Sequence, residues 1–346
     1  MTATLEIHDD VTTIPDWDAL MDEVEAPVFY GSAFLSAYRK AEMSPARAYA
    51  YLMLRDADRS PRAALPAVLL PEMDPVGSLA VYEPSIATRP LGLISHAWHC
   101  YDTWLPARGG PADHEGVAAI LDGLRELAAD FAAPWYGLVN VDATGTLAAA
   151  LDGIGAHGLP IDERYILDLP PGFGLNDYVY ELSSRYRYTM RVHQRRASRS
   201  GASVRVLRPE DADLDAHLSL VRRTGEKHGV ANFYPHGGFQ DFQLRLGDAV
   251  RIIEISLGGR IVGVGICLVD AQRLHFWTCG VDYVAADTFS PFYVLFYEAL
   301  RLAVDLGVPR FECGRRNGAF KRRYGLRPIP LLAYISPTRR PLGIRD

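Results

Sequence analysis

Long apolar runs, paired cysteines and lysine are what this 346-residue chain has least of. No uninterrupted apolar stretch approaches the roughly 20 residues that cross a bilayer as a helix. The opening MTATLEIHDD also lacks the basic-then-apolar order of a secretory leader. The expectation is a protein without membrane insertion, at work in the cytoplasm. Cys100, Cys267, Cys279 and Cys313 form no CxxC pair, which argues against a structural zinc and a disulfide framework. Reduced thiols, no metal and no cofactor are expected.

Of the 36 basic residues only Lys40, Lys227 and Lys321 are lysines. An ammonium is a compact charge with rotatable donors, whereas a guanidinium is a planar, permanent fork. A lysine kept in an arginine chain is thus a candidate for chemistry, although a solvated helix end explains it equally simply. Acidic residues are missing from another stretch. Arg185, Arg187, Arg191, Arg195, Arg196, Arg199, Arg205 and Arg208 follow one another with no Asp or Glu between them, in a chain of net charge −6. Such a local inversion suits a polyanionic or phosphate-bearing partner.

Half the residues are apolar (49%), and the length suffices for two domains of ordinary size. The stretch 290–334 carries the densest pattern. Tyr293, Phe296, Leu300, Ala303 and Val304 recur at helical spacing, Gly307 stands where a helix would be capped, and PRFECG reads as a short strand. GRRNGAFKRRYG follows. A basic turn at a strand end offers backbone N–H groups and cations to an anion or a polarised carbonyl.

Before it, the N-terminal third reads as a short strand, two amphipathic helices and a strand pair. Residues 72–113 lack periodicity and read as short strands and loop, and helix, strand, helix and strand follow. LPPGFG at 169–174 breaks every period and marks a boundary between domains 1–168 and 169–346. A long helix from Asp177 then carries Arg187, Arg191, Arg195 and Arg199 at i+4 steps on one face. A strand, two helices separated by VANFYPHG, and three successive strands lead into the helix at 290.

RRASRSGASVRV, TGEKHGVANFYPHGGF, IVGVGICLV and FECGRRNGAFKRRYG together resemble the FemABX-like transferases and related FemAB-like acyltransferases of the GNAT superfamily. The resemblance implies an α/β fold of two tandem GNAT-like units, with mixed α+β sheets and a cleft between the units. It implies an enzyme that passes an aminoacyl or acyl group to an amine; the best known relatives draw on aminoacyl-tRNA and modify a peptidoglycan precursor. Phe320 and Lys321 match the family's Phe-Lys pair at the reaction site, the lysine placed to stabilise the oxyanion or the departing ribose oxygen. Arg187, Arg191, Arg195, Arg199, Tyr234, His236, Asn317 and Tyr324 are the substrate-binding candidates. His236 and Glu226 have plain alternatives, as a loop histidine without a role and as a helix-end carboxylate paired with Arg222 or Arg223.

GNAT enzymes that use acyl-CoA hold its pyrophosphate on R/Q-x-x-G-x-G/A at a helix N-terminus. CGVDYVAADTFSPFYV has no such loop, and Pro291 removes a donor. Aminoacyl-tRNA or an acyl-carrier protein therefore ranks above CoA as donor, with a small-molecule or peptide amine as acceptor in specialised metabolism or cell-wall-type synthesis. The alternatives are an acyl-CoA-dependent N-acyltransferase and a non-catalytic RNA-binding protein.

Overall fold

The computed structural model describes residues 3–110, 113–340 and 342. The first half of the chain runs β1 (Thr4–His8), α1 (Trp17–Glu23), α2 (Ser32–Lys40), β2 (Ala48–Arg55), β3 (Pro61–Leu70) and a single turn α3 (Ser85–Thr88). β4 (Gly92–Ser95), α4 (His114–Asp130), β5 (Trp135–Asp142), α5 (Thr146–Gly153) and β6 (Leu159–Asp168) complete it. The second half opens with α6 (Leu175–Glu181) and α7 (Ser184–Arg199), then β7 (Ser203–Leu207), α8 (Leu214–Glu226) and α9 (Gly238–Leu246). β8 (Val250–Leu257), β9 (Arg260–Val269), β10 (Arg273–Val281), α10 (Pro291–Asp305), β11 (Arg310–Glu312), α11 (Gly318–Arg323) and β12 (Arg327–Pro337) follow.

Apart from the extra helices, the two halves repeat one order: strand, two helices, three strands, helix, strand, helix, strand. The residues gather into two units, Met1–Glu163 with Ile329–Asp346, and Arg164–Pro328. In the first, the strand order is β1-β2-β3-β4-β5-β12; in the second it is β6-β11-β10-β9-β8-β7. The last strand of each half thus completes the sheet of the other half. Leu331 to Pro337 pair antiparallel with β5, and Ile166 to Asp168 with β11. A division at 169–174 keeps β12 with the second unit, whereas its pairing puts it in the first. Local patterning cannot show such an exchange, because a strand's partner is chosen over the whole chain.

In the second unit α10 is the central helix. Pro291 occupies its first turn, where a missing N–H costs nothing. Gly307, at φ +68°, closes it: its N–H bonds to Val304 O, and that of Val308 to Ala303 O. Val294, Leu295, Phe296, Ala299, Leu300 and Ala303 are wholly buried, and each of the larger ones contributes about 1.5–3 kcal/mol by leaving water. On the sheet's other face α8 lies backbone-close to β10. A Cβ on Gly280 would stand 2.4 Å from the main chain at Leu220 and Val221, so only glycine fits there.

One expected element differs. The single long helix from Asp177 is two, because Leu182 and Ser183 are extended (ψ 144° and 151°). Arg187 donates across the break to the carbonyls of Tyr180 (2.7 Å) and Leu182 (3.0 Å), satisfying acceptors that a continuous helix would have paired internally.

Candidate active site

β10 and β11 run parallel but pair over only three residues, from Arg273 opposite Arg310 to His275 opposite Glu312. β11 then ends, whereas β10 continues to Val281 past a bulge between Phe276 and Thr278. The strands part there and open the sheet at their C-terminal ends, the end at which α/β sheets bind ligands. The buried pair Arg164–Glu312 (2.9 Å) anchors β11 just before the opening.

Lys321 lies under the turn that follows β11. It is only 3% exposed, and its ammonium donates to the carbonyls of Cys313 (2.6 Å), Gly314 (3.0 Å) and Arg315 (2.7 Å). It also sits 5.2 Å from the Tyr165 ring centre. An ammonium has three donors, and three carbonyls take them. In this geometry the cation holds the turn. Burial pushes the thiol of Cys279, a charge neighbour of Lys321, up to about 12, so it remains a neutral thiol.

Phe320 and Tyr324 lie in the core beside Lys321. Phe320 packs in an aromatic cluster, stacked on Tyr324 (4.5 Å, 28°) and edge-on to Phe292, Tyr293 and Phe296. Tyr324 is 1% exposed, and its hydroxyl reaches Tyr186 O at 3.5 Å. Apolar surface drives both inward. Asn317 is exposed and precedes α11 in the left-handed region (φ +52°); its carbonyl accepts from Phe320 and Lys321 N–H. His236 is exposed and makes no hydrogen bond or ion pair among the described residues. Arg222 does not pair with Glu226 but donates to Tyr234 O (2.6 Å) and Ala231 O (3.3 Å), and Arg223 pairs with Asp282 (3.1 Å).

Tyr234 does reach the opening. Its hydroxyl accepts a hydrogen bond from Thr278 Oγ1 (2.9 Å), the first residue of β10 after the bulge. Its ring stands edge-on to Phe239 (5.2 Å), which is stacked on Trp277. Burial holds the phenol above its ordinary value, with the Thr278 bond and the Arg315 charge acting the other way. Thr278 and Trp277 were beyond sequence reasoning, since no residue pattern marks the bulge that aims them.

Of the cationic stripe on α7, Arg187 is committed to the helix break. Arg191, Arg195 and Arg199, with Arg185 and Arg196, are exposed and have no ion pair among the described residues. Tyr180 and Tyr188 are 63% and 66% exposed beside them, the Arg191 guanidinium lying 5.7 Å from the Tyr180 ring centre. α7 also covers the start of α10. The Ser290 N–H donates to His193 Nδ1 (3.0 Å), His193 stacks on Tyr293 (4.5 Å), and Ser200 Oγ bonds Thr288 Oγ1 (2.9 Å). Burial, then the nearby Arg196, lowers the His193 pKa, which preserves Nδ1 as an acceptor. At the α10 N-terminus the N-cap N–H is thus taken by the chain itself.

In the first unit β4 and β5 form the corresponding parallel pair, Gly92 to Ser95 opposite Trp135 to Leu138. Residues 96–103, all buried, follow β4. The Thr103 N–H bonds to Asn140 O (3.0 Å), and Asn140 Nδ2 bonds to Cys100 O (2.7 Å). Thr103 also bridges Val141 in parallel, so this segment fills the gap beside β5. Nearby lies a cavity of about 590 Å³ whose lining includes Asp22, Glu23, Glu25 and Asp142, with Glu23 paired to Arg108 (2.9 Å).

Residues 184–322 match the family model described as acetyltransferase (GNAT) domain. That segment runs from the start of α7 into α11 and contains the β10/β11 pair; it is similar to GNAT domains, a match that supports the acyltransferase class. Across nearly the full chain the fold is that of FemX (11% identity, TM-score 0.61, covering 97% of this chain and 98% of that one). It is likewise similar to a tandem GNAT protein from the clavulanic acid biosynthesis pathway (15%, 0.55, 99% and 100%) and to L-PGS from Bacillus licheniformis (13%, 0.55, 95% and 93%). The tandem relative accords with the two GNAT-like units described above. No curated protein sequence matches the chain. Among the described residues no helix is long and apolar enough to cross a membrane.

Proposed function

We propose that the protein transfers an aminoacyl group from aminoacyl-tRNA to the amine of a small molecule or peptide, at the β10/β11 opening of the second unit. The observation that carries the choice of donor is the α7 face. Five exposed arginines, Arg185, Arg191, Arg195, Arg196 and Arg199, have no ion pair among the described residues and stand beside exposed Tyr180 and Tyr188. Cations that track a phosphate backbone, with aromatic rings between them, suit a nucleic acid. The start of α10 supports the same choice, since Pro291 lacks an N–H and the Ser290 N–H is taken by His193, leaving fewer donors for a CoA pyrophosphate.

Lys321 contributes by shaping the opening. Its ammonium gathers three consecutive carbonyls and so fixes the turn after β11. Amide formation from an activated ester then needs little beyond holding amine and carbonyl in line and stabilising the oxyanion. The acetyltransferase family match favours a second donor, acyl-CoA, and a phosphopantetheine on a carrier protein is also compatible with the arginine face. The deciding experiment incubates the full chain with in vitro charged tRNA, acetyl-CoA or acylated carrier protein, each with a panel of amines, and follows amide products by mass spectrometry. Product from charged tRNA alone supports the proposal. Product from acetyl-CoA alone replaces it with the second donor.

A further inference from the structure

Acyl transfer at this opening requires a hydrogen-bond donor for the oxygen that becomes negative, and the Lys321 ammonium is held by three carbonyls. We propose that the Tyr234 hydroxyl, oriented by Thr278, is that donor; the assignment rests on acyl transfer occurring between β10 and β11.

Three observations converge on it. Thr278 Oγ1 donates to the Tyr234 oxygen at 2.9 Å, so the phenol's own hydrogen must point elsewhere. Tyr234 is also fixed at both ends. Arg222 grips its carbonyl at 2.6 Å, and Phe239, seated on Trp277, supports its ring. A donor that need not reorganise during the reaction is the kind that stabilises an oxyanion best. Lastly, the hydroxyl stands at the parting of the strands: Thr278 belongs to the β10 lip, and Arg315, whose charge acts on the phenol, to the turn after β11. Burial keeps the phenol protonated at neutral pH, as a donor must be.

In the step itself the amine lone pair forms the C–N bond, and the carbonyl π electrons move onto oxygen, which Tyr234 O–H then hydrogen-bonds. Collapse restores the C=O bond and expels the donor's oxygen or sulfur, which leaves with the proton lost from nitrogen. Tyr234 keeps its own hydrogen throughout. No oxidant or further reactant is needed.

The test uses the full chain with in vitro charged tRNA, or acetyl-CoA if that proves the active donor, and whichever amine of the panel gives product. Tyr234→Phe is expected to lower kcat about 100-fold while the donor KM changes by no more than about two-fold. Thr278→Val should cost about ten-fold, and Thr278→Ser should recover most of that loss. NMR of ¹³C-tyrosine protein, with the Tyr234 signal assigned from the phenylalanine variant, gives an independent readout. Loss of the Thr278 bond should move the Tyr234 titration to higher pH. A Tyr234→Phe variant that turns over like the parent, or a Tyr234 titration indifferent to Thr278→Val, overturns the assignment. A parent protein inactive on every donor overturns acyl transfer itself, and this role with it.

Discussion

β4 with β5 and β10 with β11 are the same parallel pair built twice in one chain, yet they end differently. After β4 the chain turns back into the gap, and residues 96–103 are buried there, tied to β5 through Asn140 and Thr103. After β11 the chain instead folds over Lys321 and leaves the end of β10 to Thr278 and Tyr234. One gap is filled and the other is left open, and the proposed site rests on that difference. The charges follow the same division. The cavity of the first unit is lined with carboxylates, whereas the second unit carries the arginine face.

The comparison breaks most readily at Lys321. Lys321→Met removes the donor from three carbonyls of a buried turn, and at about 1–2 kcal/mol for each orphaned group the second unit should lose about 4 kcal/mol. Hydrogen exchange should show faster opening within Arg164–Pro328, with peptides of the first unit unchanged. Lys321→Arg should recover little, because a planar fork cannot converge on three carbonyls. Equal loosening of both units would mean that the turn is not a local device.

Acid should strike the filled gap instead. His96 accepts the Ala97 N–H at Nδ1 and reaches Phe29 O through Nε2 (3.0 Å), and burial lowers its pKa to about 4. Because this folded value lies below the unfolded one of about 6.5, the unfolded chain takes up the proton first. The neutral histidine's contribution, about 3 kcal/mol, is therefore complete above pH 6.5 and is lost as pH falls toward 4. Exchange of residues 92–103 should accelerate across that window, and His96→Gln should abolish the pH dependence. An acid response confined to the second unit would contradict the contrast.

The smallest effect concerns the charge division. Arg191→Ala with Arg195→Ala should lower the slope of log donor affinity against log salt by about 1.5, one phosphate contact being lost per arginine. Neutralising Asp22 and Glu25 in the first unit should leave the slope as it was. Filter binding of charged tRNA across a salt series measures both. A slope indifferent to the arginine pair would make the stripe a solvated face.

Where contacts are local, the sequence was a good guide. Pro291 and Gly307 bound α10 as their chemistry requires, and the arginines recur at helical steps because the helix that carries them is regular. The ends of Lys321, Phe320 and Tyr324 could not be read in the same way. Lys321 is rare in this chain, which made it conspicuous, but the groups that claim it are backbone carbonyls common to every residue. That Phe320 and Tyr324 next to it are buried could not be read either, since which side of α11 and its C-cap faces inward depends on packing from α10. Thr278 and Tyr234 lie 44 residues apart and meet only through the bulge.

The exchange of last strands also governs how the molecule is made. On a ribosome β5 emerges before the strand that will pair with it, for Leu331 to Pro337 follow it by nearly two hundred residues. Until then one edge of β5 presents a row of unpaired N–H and C=O groups, a template for pairing with any passing strand. The first unit therefore closes late, after the residues of the second have been translated, and its slowest contacts join residues nearly two hundred positions apart.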